Sequence, residues 1–189
     1  MTRDMPCPGS DQDSAKPPVL VLMGVSGSGK TTVARRLAKR LGWPFMEGDA
    51  LHPERNVAKM HSGEPLTDAD RMPWLEAVGD WIDAQRARQQ PGIITCSALK
   101  RSYRRIITAG RPEVRLIYLR GSQSLIHERL VRRHGHFMPE NLLRSQLDTL
   151  EEPLPEEYPI VVEIDRSVDR IVAEIMRQLG DTTTMKSVT

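Results

Sequence analysis

Gly24-Val25-Ser26-Gly27-Ser28-Gly29-Lys30-Thr31 is the stretch that decides the fold. It follows the apolar run Val19-Leu20-Val21-Leu22-Met23 and opens a segment that places Val33, Leu37 and Leu41 on one helical face. Strand, glycine-rich loop and helix together form the context of a phosphate-binding P-loop. Glycines let the backbone curl and approach an anion closely. The amides of the loop and of the helix N-terminus then point at the phosphates. The reading places Gly24, Val25, Ser26, Gly27, Ser28, Gly29, Lys30, Thr31 and Thr32 around a nucleoside triphosphate. Lys30 reaches the β- and γ-phosphates, and the Thr31 hydroxyl binds Mg²⁺.

Strand and helix patterns alternate downstream of this loop. Residues 45–47 read as a second strand closing on Gly48-Asp49, with further strands at 93–96, 114–119 and 160–164. Helical patterns fill 30–41, the segment from His52-Pro53 to about 61, and 68–89, 100–109, 122–133, 140–150 and 168–179. Gly42 with Pro44 stops the first helix, and Thr67 or Asp68 caps the third. Such alternation predicts a three-layer α/β fold, a parallel sheet covered by helices on both faces. Ligands of such sheets sit at the C-terminal strand ends. The informative residues are therefore the P-loop, Asp49, Ser97 and the segment after Leu119.

A chain of 189 residues suits a single domain, expected over 19–180. Residues 1–18, rich in Pro, Ser, Asp and Gly, and residues 181–189 read as disordered tails. The net charge of +2 is too small to argue for a nucleic-acid partner. Charge is nevertheless segregated. Residues 100–134 hold ten Lys and Arg against Glu113 and Glu128, whereas 146–165 carries acids and no Lys or Arg. A basic block in a nucleotide enzyme more often serves phosphates. Cys7 and Cys96 form no metal or redox pattern, and Cys96, in an apolar run, reads as a buried thiol. No apolar run approaches a membrane span, and no signal peptide is legible, so a cytoplasmic protein is expected.

Three classes of P-loop protein compete. A GTPase switch needs an Asn/Thr-Lys-x-Asp guanine motif, which is absent. A motor or AAA-type ATPase usually ends an apolar strand in an acid that organises Mg²⁺ and water, yet the third strand ends Thr95-Cys96-Ser97. Asp165, after the last strand, reads as a cap or loop residue. Small-molecule and nucleotide kinases fit the length, the element order and the arginine-rich segment.

The run Gly48-Asp49-Ala50-Leu51-His52-Pro53, then Asn56, Lys59-Met60, Ser62-Gly63-Glu64-Pro65-Leu66, Asp68, Asp70-Arg71 and Pro73-Trp74-Leu75, resembles the gluconate kinase family. Cys96-Ser97-Ala98-Leu99-Lys100 with Tyr103-Arg104 is similar to that family's next signature. Gly135-His136-Phe137 and Thr149-Leu150-Glu151-Glu152-Pro153 follow in family order, so the resemblance covers about 19–179. It implies transfer of the ATP γ-phosphoryl group to the 6-hydroxyl of D-gluconate, feeding the pentose phosphate pathway. It also implies the shikimate and adenylate kinase fold, a lid that closes over ATP, Mg²⁺ and a homodimer.

Within that frame the residues take physical roles. Arg129 and Arg133, spaced i, i+4, share a helix face and can straddle the phosphates. Arg132 points elsewhere and reads as solvated. Residues 122–141, with a Gly135-His136-Phe137 break, are expected to form the mobile lid. Asp49 can accept or orient the proton of the acceptor hydroxyl. The acceptor is a polyhydroxy carboxylate, for which arginine is the natural clamp. Arg71, Arg104, Arg55, Lys59 and Lys100 are the candidate cations, Arg71 and Arg104 foremost, and His52 and Ser97 can bond hydroxyls. Trp74, Leu75, Val78, Trp81 and Ile82 recur at helical spacing and read as core, or as a subunit interface if exposed. Competing readings are a kinase of another acceptor, such as shikimate or a nucleoside monophosphate, and a nucleotide-binding regulator without turnover.

Overall fold

The computed structural model describes residues 16–132 and 140–185. Five strands, β1 (Val19–Met23), β2 (Phe45–Met46), β3 (Gly92–Thr95), β4 (Val114–Arg120) and β5 (Ile160–Glu163), form one sheet in the order β2-β3-β1-β4-β5. Every pairing is parallel. β1 is central and buried along its whole length, as its unbroken apolar run requires. Its side chains divide by the period of two. Leu20 and Leu22 join one core with Ile93, Leu119, Ile171 and Ile175. Val19, Val21 and Met23 join the other with Trp74, Leu75, Ile94 and Tyr103.

The helices are α1 (Lys30–Leu41), α2 (Glu54–His61), α3 (Asp68–Ala87), α4 (Arg101–Thr108), α5 (Gln123–Val131), α6 (Glu140–Thr149) and α7 (Val168–Met185). α1 ends as its sequence predicts, with Gly42 left-handed at φ 70° and its N–H bonded to the Ala38 carbonyl. Thr67, not Asp68, caps α3. Its hydroxyl accepts from the Asp70 N–H while the Asp70 carboxylate accepts from the Thr67 N–H, a reciprocal capping box. α7 runs on to Met185, past the expected end at Leu179 and into the segment expected to be a tail. The two 3-10 turns Gly48–Leu51 and Pro155–Glu157 fall where only loops are legible. Cys7, Arg133 and the Gly135-His136-Phe137 break lie outside the described residues.

Trp74, Leu75, Val78 and Ile82 are buried against the sheet, so the stripe on α3 is core and not an exposed interface. Cys96 is a fully buried free thiol, and burial pushes its pKa up to about 12.

Two backbones nearly touch where β2 leaves the sheet. A Cβ at Gly48 would stand 1.8 Å from the Thr95 carbonyl oxygen. That contact is with backbone, so no side-chain rotation relieves it. Gly48→Ala is expected to destabilise the fold by about 1–3 kcal/mol or more through overpacking. A urea denaturation midpoint equal to that of the unsubstituted protein would refute the constraint.

Candidate functional site

The loop after β1 and the start of α1 form the floor of a cavity of about 290 Å³. Ser26, Gly27, Ser28, Gly29, Lys30, Thr31 and Thr32 line it, with Asp49, Arg129 and Val168 on the walls. Gly29 precedes α1 at φ 93°, a left-handed conformation that side chains resist. The start of α1, from Lys30 to Thr32, lines the cavity, where a bound anion would meet the positive end of the helix dipole. Lys30 Nζ folds over the loop, 3.0 Å from the Gly24 carbonyl oxygen and 3.1 Å from that of Val25. Gly24 and Val25 lie at the buried root of the loop, beneath these contacts. The Ser26 N–H donates to Gln146 Oε1 at 2.8 Å, which ties α6 to the loop.

Arg129 reaches the same cavity from α5. Its guanidinium donates to the Ile164 carbonyl beyond β5, and a Cβ at Gly29 would come within 3.8 Å of its Nη1. Arg132 is 77% exposed and pairs with Glu128, as a solvated residue does. Asp165 is exposed, 3.5 Å from Arg166, and does not line the cavity.

Asp49 stands in the turn Gly48–Leu51, held on both sides. The Gly48 N–H donates to Thr95 Oγ1 at 3.0 Å, and the Thr95 hydroxyl donates to Glu47. From α3 the indole N–H of Trp74 donates to the Gly48 carbonyl at 2.7 Å. The His52 ring stacks on Trp74, centroids 4.3 Å apart at 15°. Burial pushes the His52 pKa below 6.5, Asp49 pulls it back up and Arg71 adds to the lowering. Asp49 and Arg71 both lie within electrostatic reach of His52.

The five candidate cations have different fates. Lys59 pairs with Asp70 at 3.0 Å and Glu64 at 3.5 Å. Lys100 donates to both Asp68 oxygens at 2.8 Å. Arg55 is exposed on α2. Arg71 donates to the Leu66 carbonyl at 2.5 Å and lies 5.8 Å from the Tyr103 ring centroid. Among the described residues no carboxylate pairs with it.

Arg104 corrects the sequence reading. It is not a clamp facing substrate but is 1% exposed, its guanidinium paired with Glu157 at 2.7 and 2.9 Å. Its Nη1 donates to the carbonyls of Ala98, Leu99 and Glu151. Burial alone would raise the Glu157 pKa, but hydrogen bonds from Arg104 and the Leu154 N–H outweigh it and lower it. With its donors so engaged, Arg104 anchors the loop after β3. Ser97, in that loop, is half-buried, and its carbonyl accepts from the Gly24 N–H at 3.3 Å.

Sequence reasoning missed Thr95, Trp74 and Gln146. Trp74 carried a signal, because a buried indole N–H needs a partner. Gln146 carried none, since nothing local tells that its amide meets a loop 120 residues away.

A family model described as an AAA domain matches residues 19–153, from β1 to beyond α6. The chain is 50% identical to the gluconokinase of Gluconobacter oxydans (strain 621H) over 166 residues, covering 88% of this chain and 93% of that one. It is 46% identical to the thermoresistant gluconokinase of Escherichia coli (strain K12), covering 82% and 89%. A gluconokinase structure from Sinorhizobium meliloti 1021 superposes with a TM-score of 0.81 at 43% identity, covering 91% and 98%. Shikimate kinase from Aquifex aeolicus, at 16% identity and a TM-score of 0.56, shares the fold. With such identity over more than four-fifths of its length, the chain belongs to the gluconokinase family of P-loop kinases.

Proposed function

We propose that this cleft transfers the γ-phosphoryl group of ATP to the 6-hydroxyl of D-gluconate, giving 6-phospho-D-gluconate. The chain is a kinase that uses ATP and phosphorylates gluconate, as its near-full-length relatives support. The observation that carries the finer reading is that Asp49 shares one cavity with the P-loop and Arg129. Donor and acceptor groups thus converge, which a nucleotide-binding regulator does not need.

The loop amides and Lys30 take the β- and γ-phosphates, and Arg129 stabilises charge on the transferring group. Asp49 orients the acceptor hydroxyl and takes its proton late, because phosphoryl transfer passes through a loose transition state. Thr31 and Asp49 offer hard oxygens suited to Mg²⁺. Among the described residues there is no group of three or more His, Cys, Asp or Glu that could hold a metal ion. Mg²⁺ held by Thr31 and Asp49 would neutralise phosphate charge. Arg133, the second arginine expected at the phosphates, lies outside the described residues. Among the described residues no helix is long and apolar enough to cross a membrane. A cytoplasmic location and, as the family resemblance implies, a homodimer complete the proposal.

Arg71 takes the gluconate carboxylate. Among the described residues it makes no close ion pair, while it acts at a distance on both His52 and Asp68. Lys59 and Lys100 are already neutralised by acids, so each would have to break an ion pair to serve. Lys100, His52, Ser97 and Arg55 remain around the acceptor space as hydroxyl partners or rim.

ADP release with Mg·ATP, compared across D-gluconate, shikimate, nucleoside monophosphates and no acceptor, tests the assignment. Turnover is expected with gluconate alone. Turnover with another acceptor and none with gluconate would overturn the acceptor, while ATP binding without turnover on any would favour the regulator. Asp49→Asn is expected to lower kcat by about 10²–10⁴-fold with ATP binding nearly unchanged. A mild loss would reduce Asp49 to a structural turn residue. Arg71→Ala is expected to raise the gluconate KM by about 10–100-fold and leave that of ATP alone, with Arg71→Lys recovering part. Equal effects on both substrates would reject the clamp.

A further inference from the structure

His52 follows the turn that carries Asp49, and its Nδ1 lies 3.4 Å from Asn56 Nδ2. The Asn56 amide has one permitted orientation. Its Nδ2 also lies 2.7 Å from the Asp70 carbonyl oxygen, which can only accept. The atom facing Asp70 is therefore nitrogen. Asn56 is fully buried, and its hydrogen-bond contacts are made by Nδ2, its Oδ1 having no partner among the described residues. The same NH₂ has a second hydrogen, and His52 Nδ1 is the acceptor that faces it. A neutral imidazole that accepts at Nδ1 carries its proton at Nε2.

We propose that Asn56 is a positioning residue that, braced on the Asp70 carbonyl, holds His52 as the neutral Nε2–H tautomer and so gives the acceptor space a fixed hydrogen-bond donor for a gluconate hydroxyl. The inference rests on the gluconate reading of the site. Sugar hydroxyls both donate and accept, so an unlocked imidazole would read them ambiguously. Here Asp49 only accepts and His52 only donates, and a polyol is bound in one sense. Trp74 fixes the plane of the ring by stacking. The charged groups that act on the ring are Asp49 from its own turn and Arg71 from α3. Burial and Arg71 favour the neutral form over the cation, with Asp49 opposing.

The test is ¹⁵N NMR of the full chain labelled at histidine, together with gluconate kinetics. The native protein is expected to show His52 with hydrogen on Nε2 and a bare Nδ1 at pH 7. Asn56→Asp replaces the donor with an acceptor, and is expected to draw the hydrogen to Nδ1 and raise the titration midpoint. Its gluconate KM should rise about 10-fold, the scale of one lost hydrogen bond, with the ATP KM unmoved. His52→Gln and His52→Asn serve if Asn56→Asp fails to fold. The Gln amide nitrogen reaches the place of Nε2 and the Asn amide nitrogen does not, so Gln should keep gluconate kcat/KM about 10-fold above Asn. Hydrogen on Nδ1 in the native protein, or equal kcat/KM for the two His52 variants, would overturn the proposal. The spectrum needs no substrate. A native enzyme inert toward gluconate would therefore overturn the acceptor assignment separately, while the spectrum still decides the Asn56 contact.

Discussion

The acceptor side of the cleft hangs on the near-collision of Gly48 with the end of β3. The Gly48 N–H bonds Thr95 Oγ1, and no side chain fits between the two backbones. β2 therefore stops after Met46, and the chain turns over the end of β3 instead of continuing along it. β3 lies between β2 and β1 in the sheet. The turn that carries Asp49 consequently faces the P-loop that follows β1. Trp74 closes the arrangement from α3, its indole N–H on the Gly48 carbonyl and its ring under His52. The meeting of the glycine-rich loop and the Asp49 turn in one cavity is thus a consequence of strand order plus one missing Cβ.

Much of this was legible in the chain because the signals are local. A run of five apolar residues followed by glycines and Lys-Thr has few outcomes, and a residue just after a parallel strand faces the ligand edge. That rule places Asp49 and the P-loop at the ligand edge. What stayed illegible depends on pairing across long separations. Arg71 and Arg104 read alike as arginines flanking the acceptor segments. Only the fold shows that Glu157, 53 residues on, meets Arg104, and that no described carboxylate meets Arg71. Asn56 is equally silent in sequence, since a polar residue on an eight-residue helix says nothing of a buried carbonyl opposite.

The segregation of charge has the same resolution. Three arginines of the basic block at 100–134 find their partners in the acidic stretch at 146–165. Arg101 pairs with Glu156, Arg104 with Glu157, and Arg120 with Glu163. The exposed pairs add little stability in water. The buried Arg104–Glu157 pair differs, because removing either member would strand the other charge in the interior. Of the block's described arginines, Arg129 is the one that lines the phosphate cavity.

That buried pair has a further consequence for geometry. Ala98 adopts φ 45°, a left-handed conformation costly for a residue with a Cβ. Arg104 bonds the carbonyls of Ala98 and Leu99, so the strained turn is over-determined by a side chain that cannot leave. The turn in its place lets the Ser97 carbonyl receive the Gly24 N–H at the root of the P-loop. The loop after β3 and the phosphate loop after β1 are thereby one piece. Phosphoryl transfer asks a protein mainly for positioning and charge neutralisation. The strained, anchored turn serves the first, because it joins the two strand ends that hold Lys30 and Ser97. Arg129 lines the same cavity from α5, outside that piece and tethered to the Ile164 carbonyl.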